Sequence, residues 1–195
     1  MASGVYLARH GQTAYNRSGR FQGHLPVPLD ETGLAQAAEL AERALSHGFA
    51  ALWCSPLLRA RQTADIVGSA IGLAPREDAR LVETDAGDWT DRTFEEVRAS
   101  TPDLFDAFAS GDPSFAFPGG ESFAEQEQRV GAALLDVEEG ELSALVVCHG
   151  MVIRAALHVR GIGPFERVAN GALVPLDAAE FERGGFGGGA ATTPT

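Results

Sequence analysis

Arg9, His10, Arg59 and His149 are the side chains of this chain whose types and places can do chemistry. Val5-Tyr6-Leu7-Ala8 is a short apolar run that predicts a buried strand. Gly11 breaks the run and Gln12 and Thr13 are polar, so Arg9 and His10 fall where a strand ends and a turn begins. Ligands of α/β sheets bind beyond the carboxyl ends of strands. A histidine there is placed to react, and an arginine beside it is placed to hold an anion. The context returns at Ala144-Leu145-Val146-Val147-Cys148, the clearest buried strand, which ends in His149-Gly150 before a helix over 151–159. Phe49 to Cys54 predicts another strand, followed by Ser55-Pro56, which reads as a helix start with Ser at the cap and Pro at the first position. Arg59 and Arg61 then fall in or near the first turn, against the helix dipole. They are either two solvated arginines or the holders of an anion at that helix start, and Arg59 fits the second role better. His158 has no such context and reads as structural.

Composition bounds the partners. The chain has 195 residues, 45% of them hydrophobic, which favours one globular domain. That domain is expected over residues 1–183. The Gly-, Ala- and Thr-rich stretch 184–195 is expected to be a disordered tail. A net charge of −12 argues against nucleic acid and anionic membrane as partners, yet leaves room for a small anion in a local positive pocket. No signal peptide and no membrane span are expected, so the protein reads as cytoplasmic. Cys54 and Cys148 read as reduced, buried cysteines rather than a disulfide. No Cys/His group has metal-ligand spacing, so no metal is expected.

The elements that must position these side chains follow from pattern. Asn16 to Asp30 reads as a long functional loop carrying Arg17, Arg20, Phe21, Gln22, Gly23 and His24. Glu31 to His47 predicts a helix with Leu34, Ala37, Ala38, Ala41 and Leu45 on its apolar face. Ala60, Ala64, Val67 and Ile71 give the helix after Ser55 its buried side. A third strand is expected to end near Leu81-Val82-Glu83, before a turn with Trp89. Phe94 to Ala109 is helical and split by Pro102. The loop from Gly111 to Gly120 carries Phe115 and Phe117; the aromatic segment either covers core or forms an apolar lid over a pocket. Ser122 and Glu125 form a capping box for a helix to Val137. Leu173 to Leu176 is an edge strand, because Pro175 lacks a ladder donor. Strands alternating with helices predict an α/β three-layer sandwich, a mainly parallel sheet flanked by helices, with a small helical or loop lid at about 85–121. Arg9, His10, Arg59 and His149 then share one rim.

Assembled, the chain resembles the histidine phosphatase superfamily, in its phosphoglycerate mutase-like branch. The likeness runs from about Val5 to Leu176. It is carried by Arg9-His10-Gly11-Gln12-Thr13, Phe21-Gln22-Gly23, Ser55-Pro56-Leu57-Leu58-Arg59-Ala60-Arg61, Leu81-Val82-Glu83, Pro118-Gly119-Gly120-Glu121-Ser122 and Val147-Cys148-His149-Gly150. The resemblance implies that His10 is a nucleophile passing through a phosphohistidine. It makes Arg9, Arg59 and His149 a phosphate clamp and Glu83 the general acid, with Asp85 and Asp88 as nearby alternatives. Asn16, Gln22, Gly23 and Gly150 would lie near the substrate. No cofactor or metal is implied, because arginines stabilise the transferring phosphoryl group. The chain departs from the family pattern at Pro26 and at Thr90-Asp91, where the family often has Asp and Glu-Gly. Mutases of the family are generally longer, so the expected activity is a phosphatase acting on a small phosphorylated metabolite, with the phenylalanines hinting at a partly apolar leaving group. Phosphoglycerate mutase-type transfer and a catalytically inactive phosphate-binding domain are the alternatives. A homodimer stays open.

Overall fold

The computed structural model describes residues 4–140, 143–162 and 167–177. In chain order these form β1 (Gly4–Arg9), α1 (Ala14–Ser18), α2 (Glu31–Leu45), β2 (Ala51–Cys54), α3 (Leu58–Ile71), β3 (Arg76–Glu77), α4 (Phe94–Ser100), α5 (Pro102–Ser110), α6 (Phe123–Gly140), β4 (Ser143–Cys148), α7 (Gly150–Val159) and β5 (Leu173–Pro175). Tight 3₁₀ turns lie at Ala79–Leu81 and Gly87–Trp89. The sheet order is β3-β2-β4-β1-β5. The first four strands are parallel and β5 runs antiparallel at the edge, as the proline in it requires.

The period-2 alternation of the strands divides the core into two faces. Val5 and Leu7 of β1 and Ala144, Val146 and Cys148 of β4 pack with Val130, Leu134 and Val137 of α6 and Val152 and Ile153 of α7. Ala8 of β1, Leu52 and Cys54 of β2 and Leu145 and Val147 of β4 pack on the other side with Leu40, Ala41 and Ala44 of α2 and Ala60, Ala64 and Val67 of α3. This is the expected three-layer sandwich. Cys54 and Cys148 are both free thiols in it. The segment 85–121 builds a third cluster of its own, in which Trp89, Phe105, Phe115 and Phe117 join Phe21 and Phe123.

Four local expectations are corrected. The strand expected to end at Leu81-Val82-Glu83 is two residues, Arg76–Glu77, paired with β2. Asp78 ends it by accepting a hydrogen bond from the Arg80 amide at 2.8 Å, and Leu81 is buried from a 3₁₀ turn instead. Ser55 and Pro56 do not begin α3, whose cap position is Leu57 without a side-chain bond. The Ser55 amide instead extends the ladder, donating to the Val147 carbonyl at 3.0 Å. The long loop opens with the helical turn α1, capped by a reciprocal box between Thr13 and Asn16. Finally, α2 is rotated: Gly33, Ala37, Leu40, Ala41 and Ala44 are buried, whereas Leu34, Ala38 and Leu45 are exposed. The stretch 184–195, expected as a tail, lies outside the described residues.

The rotation of α2 brings its first turn against the backbone that follows His10. A Cβ on Gly33 would collide with the Gln12 carbonyl, and one on Gly11 would collide with the Gly33 carbonyl. Backbone meets backbone here, so neither collision can be relieved by a rotamer change. Gly33→Ala is therefore expected to destabilise the protein by about 1–3 kcal/mol, the usual cost of overpacking, and to lower activity together with Tm. Gly131→Ala, in α6 with its nearest neighbour atom at 3.9 Å, serves as the control. It is expected to stabilise by about 0.5–1 kcal/mol through helix propensity alone. Urea unfolding of both variants checks the pair.

Candidate active site

The register of the parallel strands sets the site. Arg9 of β1 pairs with Cys148 of β4, so His10 and His149 each stand one residue past the same edge of the sheet. The His10 amide donates to the Cys148 carbonyl at 3.0 Å. The two imidazole rings face each other edge-on, with centroids 5.1 Å apart. Arg59 reaches the same point from the second residue of α3, donating from Nε to His10 Nε2 at 3.3 Å. Arg61, on the same turn, is spent on the surface with Asp65 and Glu77 and takes no part.

These contacts fix the tautomer of His10. Its Nδ1 lies 2.7 Å from the Gly11 carbonyl oxygen, which can only accept. Arg59 Nε can only donate. So the proton is on Nδ1, and Nε2 is unprotonated, its lone pair accepting from Arg59 Nε. His149 is held by Ser55: its Nε2 is 2.7 Å from the hydroxyl. That hydroxyl also accepts from the Leu57 amide at 3.3 Å, so Ser55 ties the ring to the start of α3. His149 Nδ1 is buried without a protein partner.

Arg59 also donates from Nη1 to the Leu25 carbonyl at 3.1 Å and from Nη2 to the Gly23 carbonyl at 2.9 Å. Three of its five N–H groups are used, which leaves two for a ligand. Arg9 donates from Nη1 to the Val168 carbonyl at 2.5 Å, and its buried Nε has no partner in the protein. Gly150 packs flat on that guanidinium, so a Cβ there would press on Arg9 at 3.4 Å. A pocket of about 280 Å³ opens above this floor, and Arg9, Asn16, Gln22, Gly23, Glu83 and Gly150 all border it. His10, Arg59 and His149 do not line the pocket themselves but join it through the bond from Arg59 to the Gly23 carbonyl. Asp85 and Asp88 do not border the pocket. Asp85 accepts from the Gly87 amide at 3.0 Å, and Asp88 is exposed beside Gly119. Among the described residues no three His, Cys, Asp or Glu side chains converge as a metal site needs.

Several supporting residues escaped the sequence reading. Arg129 of α6 grips the 3₁₀ turn and the residue after it, before Glu83, donating to the Arg80 and Val82 carbonyls at 2.7 and 2.8 Å. Its other edge makes a two-pronged ion pair with Glu121. Gln126, fully buried one turn earlier, donates to the Thr84 hydroxyl. Asn170 donates to the His10 carbonyl at 2.9 Å and to Asn16 at 3.2 Å. Thr63 accepts from the Gly11 amide at 3.1 Å. Apart from the Arg129–Glu121 pair, none of these carries a local signal, because each partner lies far away in the chain. One departure from the family pattern has a local reason: Asp91 is the only described non-glycine residue with positive φ, at 68°, a conformation that suits Gly and that Asp tolerates.

Burial governs the charges. His10 is held well below its usual range first by burial and then by the Arg59 and Arg9 charges. His149 is held down by burial, then by Arg59 and His10. Burial lowers both Arg9 and Arg59 to about 10, so both stay cationic at neutral pH, and the Glu83 carboxylate opposes the fall in each. The two imidazoles are therefore neutral in the fold, whereas in the unfolded chain each takes up a proton below about pH 6.5. The unfolded state binds more protons there, so stability falls as pH drops below 6.5 and is level above it. Between pH 7.5 and 5.5 the two histidines together are expected to cost about 3 kcal/mol. Urea titrations should show that loss in the wild type, and His10→Asn/His149→Asn should lack that share of it. An identical pH dependence in both proteins would contradict neutral burial.

The comparisons with known proteins agree with this geometry. The family model described as histidine phosphatase superfamily (branch 1) matches residues 5–180. A relative named probable phosphoglycerate mutase GpmB, from Yersinia pestis (strain Pestoides F), is 35% identical over 156 residues, covering 78% of this chain and 72% of its own. A mycobacterial glucosyl-3-phosphoglycerate phosphatase solved with VO3 superposes with a TM-score of 0.81 at 30% identity, covering 88% of this chain and 91% of its own. A phosphoglycerate mutase from Thermus thermophilus superposes with a TM-score of 0.71 at 33% identity, covering 87% and 90%. With two neutral histidines and two buried arginines on one strand edge, and the family model spanning nearly all of the chain, this protein belongs to the histidine phosphatase superfamily.

Proposed function

We propose that the protein is a phosphatase that hydrolyses small phosphomonoesters through a phosphohistidine on His10. The observation that carries this reading is the unprotonated Nε2 of His10, set by the Gly11 carbonyl at Nδ1 and by the Arg59 Nε–H that Nε2 accepts. A neutral imidazole is a competent nucleophile near pH 7. Its Nε2 lone pair attacks phosphorus as the ester oxygen leaves in line. The unspent N–H groups of Arg9 and Arg59, with the His149 ring beside them, hold the equatorial oxygens, where charge accumulates. An alkoxide is a poor leaving group, and Glu83, at the pocket wall, supplies its proton. Water then enters in place of the alcohol, Glu83 takes back a proton, and the P–N bond breaks to give phosphate and free His10. The superposed phosphatase supports hydrolysis. The relative named as a mutase favours a second reading, in which the phosphoryl group passes to another hydroxyl rather than to water. A phosphate-release assay across a metabolite panel separates the two. The buried free thiols suit the reducing cytoplasm.

The acid role is tested by leaving-group dependence. Glu83→Gln should lose at least on the order of tenfold more kcat/KM on an alkyl phosphate than on nitrophenyl phosphate, whose anion departs without a proton. The ratio kcat/KM reports the steps up to phosphorylation of His10, whereas kcat also contains the shared hydrolysis. Equal losses on both esters would remove Glu83 from the role, and Asp85→Asn and Asp88→Asn would then take its place in the same assay.

A further inference from the structure

Beyond the phosphate floor, the pocket wall is hydrocarbon. Phe21, Phe94, Phe108 and Phe117 border it together with Ala86 and Met151. The rings brace one another: Phe21 meets Phe94 at 4.6 Å and Phe108 at 5.4 Å, and Phe108 meets Phe117 at 5.6 Å between centroids. All four belong to the aromatic cluster of the 85–121 segment and its neighbours, so the wall is backed by packed core and holds its shape. Several polar groups around the pocket already bond within the protein, although Arg167 and Glu83 also border it. The Asn16 side-chain carbonyl takes bonds from the Thr13 amide and Asn170, and that of Gln22 takes the Thr13 hydroxyl. The Thr84 hydroxyl takes Gln126. Arg20 is paired with Asp91, and Arg154 lies over the Phe123 ring and reaches the Phe108 carbonyl.

We propose that this pocket, within the phosphatase reading above, selects esters of apolar alcohols, with alkyl or arylalkyl chains, over esters of polyols. A polyol would surrender water from its hydroxyls to face phenylalanine rings, a loss that the rings themselves do not repay. A hydrocarbon chain gains instead with each group removed from water, by about fourfold in affinity per buried methylene.

Non-hydrolysable phosphonates test the selectivity apart from turnover. Calorimetry on the wild-type protein would compare ethyl-, butyl-, hexyl-, 3-phenylpropyl- and 2,3-dihydroxypropylphosphonate. Affinity is expected to climb along the alkyl series, and the phenylpropyl compound to bind at least about tenfold more tightly than the dihydroxypropyl one. Phe108→Ser is expected to flatten the series, with Phe94→Ser as a second wall variant if the first does not fold. A flat series in the wild type, or preference for the dihydroxypropyl compound, would overturn the proposal. The matching phosphate esters, assayed for released phosphate, test the catalytic reading separately. Clear discrimination among phosphonates with no phosphate released from any ester would overturn hydrolysis while supporting the apolar selectivity.

Discussion

Two guanidinium groups are held almost out of water at the end of a parallel sheet, and most of the site's structure answers that constraint. A buried cation costs several kcal/mol unless its N–H groups find partners. Arg59 finds three: the Gly23 and Leu25 carbonyls and the His10 ring. Arg9 finds the Val168 carbonyl. The loop after α1 and the segment before β5 are thereby drawn over the strand edge by the charges themselves. Among the described residues only one carboxylate, Glu83, acts on both arginines, so the pocket floor remains positive in a chain of net charge −12. A phosphate group supplies the missing negative charge. Burial first, and then the same field, keeps both imidazoles neutral, which is the state a nucleophile needs.

Precision at the floor comes from backbone packing. Gly11 and Gly33 press main chain on main chain, Thr63 and Gln36 take the Gly11 and Gln12 amides, and Gln12 returns its carbonyl to the Asp30 amide. The turn after His10 is thus held by α2 and α3 at once. Glu83 is held from the other side of the sheet, through the grip of Arg129 on the Val82 carbonyl and of Gln126 on Thr84. Acid and nucleophile belong to separate packing units that meet at the pocket. The aromatic cluster between them does both things its sequence allowed: Phe105 and Phe115 fill core, while Phe108 and Phe117 face the pocket.

The sheet, its strand ends and the four basic side chains were legible because apolar runs followed by His-Gly or Ser-Pro are local signals. What was not legible involved meetings across the chain. The buried face of α2 passes through Gly33, a residue without hydrophobic signal that is required there by the Gln12 backbone. Leu81 has the same apolar signal in a strand or a 3₁₀ turn, and the Asp78 side chain decides between them. Ser55 looked like a helix cap because its spacing to Pro56 allowed it, yet its hydroxyl orients His149 94 positions along the chain. Glu121 and Arg129 were ordinary helix-flanking charges until the fold set them beside the acid segment.

The central claim is that a neutral His10 accepts the phosphoryl group on Nε2. The most direct measurement is rapid alkaline quench of the protein turning over a labelled phosphomonoester, followed by peptide mapping and NMR of the phosphorylated imidazole. Alkali preserves a phosphoramidate and acid destroys it. The account predicts label on His10, at Nε2, in the alkaline sample and none in an acid-quenched one. Label on Ser, Cys or Asp, on His149, or on Nδ1 of His10 would contradict it.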